Sequence, residues 1–526
     1  METQPGRMVA RLLDRLPPRT GGQALAWAFG LALSGGLAII LIVGPLTGLS
    51  GPFGTLRHDG YWQLAGNLVR GEGYVFEPGG PPVIHRPPLV PCLFAPLTLL
   101  PAPLQRPGVV LLQSLMAGAV GWLLFDLAAR CFGTRVARYA VGLLLLYPWL
   151  YWHVKDPMNV ITQAMLACLV LRLVAREWEP TDPRVRRATP WLLASLLLGV
   201  VMAGAMLTHG TMLLSIPLIL LLMIGVGIAR RDGRPLRVAA LAAVVTVVCV
   251  APWTWRNWKV AGRFIPVVSN SGFAYFWGNA HWRFPGDRTT GKEPRRALEL
   301  AGIHRELSEV WHFSGLNDPE VDRRINRRMA EHIRAHPARF AEKVVLNAAE
   351  FYFPVVHDLP GLRDPLRRHE LGGPVWVLYR LVVSAWHGAL WGLALVGWRR
   401  QRGRAARGRW LLALACLVLL AIPYFPFLVN IAHSQYVFHT VPLLCLLAAP
   451  GLATPGCVSE TSRSDVDASR GASEGGDSAT AAVERLDGGR PGRRRRASGG
   501  PLPAGARGHV GAPTRSGPGR SRSGRS

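Results

Sequence analysis

The chain alternates long apolar runs with short basic segments. The runs at 24–46, 190–207 and 238–255 each reach the roughly 18 residues that indicate a membrane-spanning helix. Shorter apolar runs between the same kinds of basic segment extend this pattern. We therefore predict an all-α, polytopic membrane protein with about ten spans, at 24–46, 108–129, 138–152, 157–174, 190–207, 210–228, 236–255, 375–398, 410–428 and 436–452.

The basic segments fall on one side of the membrane under this count of spans. Four arginines precede the first span, and "RCFGTRVAR", "REWEPTDPRVRR", "RRDGRPLR" and "RRQRGRAARGR" all fall on the same side as that N-terminus. Cytoplasmic loops carry an excess of Lys and Arg, so the pattern predicts that this side is cytoplasmic. It predicts a multi-pass protein of the inner (plasma) membrane with both termini in the cytoplasm.

The same pattern divides the chain into five regions. A cytoplasmic N-terminus (1–23) precedes an N-terminal transmembrane module (24–256), whose first outer loop covers 47–107. A large outer region (257–374) then leads to the C-terminal transmembrane helices (375–452) and a tail (453–526). The tail is rich in Gly, Ser and Arg and poor in apolar residues, which predicts disorder.

Two parts of the outer loops have a recognisable pattern. The segment 89–104 is apolar but holds four prolines, which favours a re-entrant or interfacial segment over a span. Near 319–352, Ile325, Met329, Ile333 and Phe340 recur at about helical spacing between charged residues. This spacing predicts one or two amphipathic helices at the membrane surface, ending near Pro354.

Composition supports the membrane assignment and narrows the partners. Hydrophobic residues make up 49% of the chain and charged residues 17%, against about 25% charged in soluble domains. The net charge of +28 comes from arginine clusters between apolar runs. We therefore expect membrane lipids as partners and no nucleic acid. Seven cysteines occur without a CxxC pair, which predicts neither a disulfide nor a zinc site.

Polar residues from nearly every predicted outer loop are the candidates for chemistry. A carboxylate such as Asp59 suits a general base, and a cation such as Arg86 suits a phosphate. Separately, each has a plainer interpretation: Asp59 as a helix cap and the following "RPPL" as an extended turn. Together they fit group transfer from a lipid phosphate to a nucleophile. The candidates are Asp59, Tyr61, His85, Arg86, Lys155, Asp156, His209, Arg256, Asn257, Asn279 and Tyr436.

Two stretches resemble the GT-C membrane glycosyltransferases of the family 39 type, which include protein O-mannosyltransferases and lipid A aminoarabinose transferases. "HDGYWQLAGNLVRGEGY" followed by "VIHRPPLVPCL" is similar to their first outer loop, and "APWTWRNWKVAGRFIPVVSNSGFAYFWGN" to a second hallmark. "SQYVFHTVPLLCLLA" stands where they have a late Arg-Tyr-x-x-P segment. The resemblance implies a helix bundle with an outer-face cavity, a polyprenyl-phosphate sugar donor and inversion at the sugar carbon.

The resemblance also implies roles for individual residues. Asp59 would be the catalytic carboxylate, with Asp156 as a second acidic position, and Arg86 would contact the lipid phosphate. Arg256 and Asn257 would shape the donor site. The sequence departs from the family at four positions. Relatives often have an acidic residue in place of Gly60 and a Glu in place of Gln163. They often have an Arg in place of His209 and in place of Gln435.

The resulting hypothesis is a glycosyltransferase that moves a hexose or pentose to an acceptor in the cell envelope, whether protein, lipid or polysaccharide. No cofactor is indicated, although some enzymes of this class use a divalent metal ion. Two alternatives stay open: a transporter or flippase of lipid-linked sugars, and an inactive relative that acts as a scaffold.

Overall fold

A computed structural model describes residues 18–43, 60–178, 190–271, 319–354, 374–401, 404–426 and 436–453. These residues form an all-helical bundle, and the one β-type contact within the described ranges is an isolated bridge between Val75 and Pro82. The predicted fold class is thereby confirmed. The tail beyond residue 453, Asp59, Asn279 and Gln435 lie outside the described residues.

Within the described ranges, the first half of the chain supplies ten α-helices. They are α1 (Gly21–Ala38), which continues as a π-helical turn (Ile39–Val43), α2 (Tyr61–Val69), α3 (Leu89–Phe94) with a 3₁₀ turn (Ala95–Leu99), α4 (Ala102–Phe132), α5 (Thr134–Leu145), α6 (Pro148–His153), α7 (Val160–Trp178), α8 (Trp191–Met206), α9 (Met212–Arg230) and α10 (Gly233–Ala261).

The second half adds five α-helices within the described ranges. They are α11 (Pro319–Ala335), α12 (Pro337–Tyr352), α13 (Pro374–Arg400), α14 (Arg404–Ala421) with a 3₁₀ turn (Ile422–Tyr424), and α15 (Val441–Ala448), which is flanked by 3₁₀ turns (Phe438–Thr440 and Ala449–Gly451).

Six helices of the described chain are long and apolar enough to cross a membrane: Gly21–Ile42, Ala102–Phe132, Met212–Arg230, Gly233–Ala261, Arg380–Arg400 and Ala405–Tyr424. Trp191–Met206 and Phe438–Gly451 are apolar but shorter. The count of ten spans therefore stays a prediction. The predicted third span is not one helix, because α5 ends at Leu145 and α6 begins at Pro148, whose missing N–H cannot continue the helical ladder.

The two outer-loop segments with a recognisable pattern, 89–104 and 319–352, contain helices. Residues 89–99 form an apolar helical stretch that ends before Pro101, and at 1.5 Å per residue it spans only about 16 Å. The region around 319–352 contains two helices, α11 and α12, which break at His336 because Pro337 starts the second.

Helix α15 forms the centre of the bundle, since all eight of its residues are buried. A helix that is apolar all round packs well only where neighbours surround it. Helix α1 lies at the periphery, and its buried positions are all small: Ala24, Ala28, Ala32 and Gly36. Such small residues let membrane helices approach closely, and α1 packs on α4 near Gly121.

Described arginines of the basic segments lie at one end of the bundle, which we call the basic end. There Arg409 Nε donates to the carbonyl of Cys131 at 2.8 Å, Arg230 to that of Trp178 at 2.6 Å, and Arg400 to that of Gly451 at 2.6 Å. The turn between α8 and α9 lies at the other end, which we call the site end. Helix α9 has 19 residues, which separates the two ends by about 28 Å.

Candidate functional site

Helix α2 lies at the site end and follows the predicted general base Asp59 in the sequence. Gly60 starts this helix with a left-handed backbone (φ +79°), and Tyr61 is its first residue. The Arg86 guanidinium carbon lies 5.3 Å from the centre of the Tyr61 ring, a cation–π contact. Two predicted site residues from opposite ends of the first loop are therefore adjacent.

The loop before Arg86 is fixed by Tyr74. Its hydroxyl donates to the carbonyl of Pro87 at 2.9 Å, while its own carbonyl accepts from the Val83 N–H at 2.8 Å. Burial raises the pKa of Tyr74 well above its ordinary value, so the phenol keeps the proton that it donates. The predicted residue His85 is buried beside the Phe76 ring, at 5.4 Å between ring centres.

Arg256 supports this loop through its backbone, and Asn257 supports the segment that follows α10. Arg256 donates to the carbonyl of Val83 at 2.6 Å and lies 4.8 Å from the Trp253 ring centre. Asn257, fully buried, donates to the carbonyl of Val267 at 3.0 Å. Arg256 thus shapes the loop that presents Arg86, and it also donates to the Asn257 side chain at 3.1 Å.

His209 lies in the turn between α8 and α9 within a buried polar network. The Thr211 N–H donates to its Nδ1 at 3.3 Å, and the Thr211 hydroxyl lies 2.7 Å from the same atom. A backbone N–H can only donate, so Nδ1 accepts and the neutral ring carries its proton on Nε2. Burial, reinforced by the nearby charges of His439 and Arg86, lowers the pKa of His209 to about 3. His209 is therefore a neutral donor within the electrostatic reach of Arg86.

Tyr424 is the centre of that network, and the sequence analysis did not identify it. Its hydroxyl accepts from Gln163 Nε2 and from Thr211 Oγ1, both at 2.8 Å, and lies 3.4 Å from His209 Nδ1. The Tyr436 ring centre lies 5.5 Å from that of Tyr424 and 6.5 Å from that of His209. The one sequence signal was an aromatic between two prolines at the end of a predicted span.

Lys155 and Asp156 form a buried ion pair in the turn between α6 and α7. Their side chains are 2.5 Å apart at Nζ and Oδ2, and the residues are 2% and 6% exposed. Burial lowers the pKa of Lys155, which Asp156 partly offsets. The amide of Gln113 donates to the carbonyls of His153 and Asp156, which holds the turn against α4. The predicted second carboxylate is thus paired with a predicted cation.

Among the described residues, no three His, Cys, Asp or Glu side chains lie close enough together to hold a metal ion. None of the six described cysteines forms a disulfide.

Residues 85–255 match the family model described as "Dolichyl-phosphate-mannose-protein mannosyltransferase". A search of curated proteins finds no significant match. Among solved structures, the archaeal oligosaccharyltransferase AglB from Archaeoglobus fulgidus, in complex with an inhibitory peptide and a dolichol-phosphate, is 14% identical, with a TM-score of 0.45 over 80% of this chain. ArnT from Cupriavidus metallidurans, bound to undecaprenyl phosphate, is 16% identical, with a TM-score of 0.32 over 74% of this chain and 71% of its own.

The chain spans half the length of AglB, so the family model is the basis of the assignment. The matched segment begins at His85 and includes Arg86, Lys155, Asp156 and His209. It also contains the helices α4 to α9 in full, together with most of α10. Through this segment, which is about a third of the chain, the protein is similar to the protein-mannosyltransferase family of membrane glycosyltransferases.

Proposed function

We propose that the protein transfers a sugar from a polyprenyl-phosphate donor to an envelope acceptor on the outer face of the membrane. The observation that carries the proposal is the contact of Arg86 with the Tyr61 ring at the site end, together with the position of Arg86 and His209 inside the matched segment. A cation and a neutral N–H donor near apolar helices suit a phosphate attached to a long hydrocarbon chain.

The reaction assigns a separate role to each group. The acceptor O–H or N–H attacks the anomeric carbon of the donor, and its proton passes to the Asp59 carboxylate. The bond from that carbon to the phosphate oxygen breaks, and the electron pair leaves with the polyprenyl phosphate. Arg86 stabilises the departing phosphate, and His209 donates its Nε2–H to it. Such stabilisation accelerates transfer because the charge on the leaving oxygen grows in the transition state.

The supporting residues then have positioning roles. Arg256 and Tyr74 hold the loop that carries Arg86, through the carbonyls of Val83 and Pro87. Asn257 holds the segment after α10 through the carbonyl of Val267. The hydroxyl of Tyr424 and the amide of Gln163 hold the Thr211 and His209 pair. Because Gln163 donates to Tyr424 through its amide, a Glu at this position could not make the same bond when ionised.

The test uses a strain that lacks the gene, complemented with variants and analysed by mass spectrometry of envelope glycans. Wild type restores a sugar-bearing species that the deletion lacks, whereas Asp59→Asn does not, since loss of a general base costs about 10²- to 10⁴-fold. Glu72→Gln is the matched control, because Glu72 is an exposed carboxylate in the same loop. Equal membrane levels of all three proteins establish that folding is intact.

A second measurement separates an enzyme from a transporter. Purified protein is incubated with radiolabelled polyprenyl-phosphate mannose or arabinose and an envelope extract, and covalent transfer is counted. Arg86→Gln is expected to lower transfer about 10- to 100-fold, since a charged hydrogen bond contributes about 1.5–3 kcal/mol. Arg70→Gln, at an exposed arginine of the same loop, keeps full transfer. Full transfer by Asp59→Asn would refute the assignment, and glycan restoration without any covalent product in vitro would favour transport.

A further inference from the structure

A cavity lies at the basic end, about 28 Å from the site described above along α9. It has a volume of about 50 Å³ and is lined by residues of α4, α7, α9, α14 and α15. Five leucines form most of its apolar wall, together with Ala and Cys side chains: Leu127, Leu171, Leu412, Leu443 and Leu446. The proposed transfer reaction uses none of these residues.

Three polar groups also line the basic-end cavity. They belong to the lining residues Arg230, Arg409 and Trp178. Each arginine donates one hydrogen bond to a backbone carbonyl that ends a neighbouring helix, at 2.6 Å and 2.8 Å. Trp178 is 7% exposed, and its Nε1–H has no hydrogen-bond partner within the described chain. A buried N–H donor without a partner costs free energy, which a ligand that accepts a hydrogen bond would recover.

The charges around the cavity favour an anion. Three carboxylates described at this end already have partners: Glu177 pairs with Arg234 at 2.9 Å, Asp126 pairs with Arg130 and Arg172, and Asp232 accepts from the Arg234 N–H at 3.0 Å. Neither Arg230 nor Arg409 has a carboxylate within ion-pair distance among the described residues. A guanidinium retains several N–H donors after one bond, and their geometry matches phosphate oxygens.

We propose that the basic-end cavity binds an anionic phospholipid. The phosphate contacts Arg230, Arg409 and the Trp178 N–H, and part of one acyl chain enters between the leucines. On this volume scale one water molecule needs about 10–15 Å³. The cavity therefore has room for a few carbons of an acyl chain. The predicted cytoplasmic position of this end agrees, since anionic lipids concentrate in that leaflet. This proposal does not depend on the proposed transfer reaction.

The test measures lipid retained by the full-length protein with native mass spectrometry, after exchange into micelles that contain phosphatidylglycerol and phosphatidylcholine in equal amounts. Wild type is expected to retain phosphatidylglycerol preferentially. Arg230→Gln and Arg409→Gln each lower that occupancy about tenfold, because each removes a charged contact to phosphate. Glutamine still has an N–H for the helix-ending carbonyl, so the packing is kept.

The matched control is Arg237→Gln. Arg237 is an exposed arginine at the same end, its guanidinium also donates to a backbone carbonyl (Gly233, 3.3 Å), and it does not line the cavity. Its occupancy should stay within twofold of wild type. Trp178→Phe, which keeps the ring and removes the N–H, should lower occupancy about two- to tenfold. Ala413→Phe fills the cavity and should abolish retention while leaving both arginines in place.

The proposal is overturned if wild type retains both lipids equally, or if Arg230→Gln, Arg409→Gln and Arg237→Gln lose phosphatidylglycerol to the same extent. It is overturned as well if Ala413→Phe and Trp178→Phe both retain lipid like wild type. Melting temperatures in phosphatidylcholine alone identify any variant that fails to fold. The lipid occupancies of the variants that do fold then decide whether the proposal holds.

Discussion

Replacing Gly60 with alanine is expected to destabilise the site end more than any other glycine-to-alanine change in the first loop. The backbone at Gly60 is left-handed (φ +79°), which costs an alanine about 1–2 kcal/mol. A Cβ at this position would lie 2.2 Å from Cε1 of Phe76, so the ring would have to move by more than 1 Å. Overpacking of this kind costs about 1–3 kcal/mol, which gives a total of about 2–5 kcal/mol.

The loop contains its own control for the backbone cost. Gly71 has nearly the same conformation (φ +76°), but a Cβ there would meet no atom within 4 Å. Gly71→Ala should therefore cost only about 1–2 kcal/mol. Phe76→Ala combined with Gly60→Ala should recover the difference, because the clash is then absent.

The assay is the melting temperature of purified protein in detergent, followed by fluorescence-detected size-exclusion chromatography. The expected order is wild type, then Gly71→Ala, then Gly60→Ala, with Gly60→Ala less destabilising in the Phe76→Ala background than in wild type. Equal melting temperatures for Gly60→Ala and Gly71→Ala would refute the steric argument. The same reasoning predicts that an acidic side chain at position 60 is not tolerated beside Phe76.

Three further predictions concern buried polar groups. Asp156→Asn should lower the free energy of unfolding by about 3–5 kcal/mol, because it leaves the Lys155 ammonium buried without its carboxylate. This is measured by the same melting assay. His209→Gln should retain more transfer than His209→Asn, because the Gln Nε2 replaces the imidazole donor at the same reach, whereas Asn places its groups at the Nδ1 position. This is measured with the radiolabelled donor. Lys343→Met should raise the melting temperature at pH 7 by more than at pH 10. Burial lowers the pKa of Lys343 in the folded chain well below its ordinary value of 10.5. Between these two pKa values the unfolded chain binds more protons than the folded chain. The stability of wild type therefore rises with pH in this range, and the advantage of Lys343→Met shrinks.

Each of these has an outcome that contradicts it. A melting temperature for Asp156→Asn equal to that of Arg130→Gln, which breaks a more exposed ion pair (37% and 24%), would show that burial of the Lys155 pair is unimportant. Equal transfer by the two His209 variants would remove the donor role. A difference between Lys343→Met and wild type that does not change with pH would mean that Lys343 titrates alike in the folded and unfolded chains.

The sequence by itself determined the helical class, the approximate position of most helices and the similarity of one segment to a glycosyltransferase family. These follow from local causes. Apolar runs of sufficient length must satisfy their backbone internally, so they form helices wherever they pack. The same logic identified Arg86 and the motif around it, since charged residues stand out between apolar runs. It failed at the predicted third span, where Pro148 interrupts the helix although the hydropathy is continuous.

The tertiary structure alone decided which side chains meet. Tyr61 and Arg86 are 25 residues apart in the chain, and Gln163, His209 and Tyr424 come from three separate regions. No periodicity relates such positions, because their contact depends on how whole helices pack and on close approaches such as that of Phe76 to Gly60. For the same reason the sequence showed Asp156 as a second carboxylate but not its burial against Lys155, and it gave no sign of the cavity between Arg230 and Arg409. Hydropathy determines which segments enter the membrane, whereas the packing of the helices determines which side chains meet at either end of the bundle.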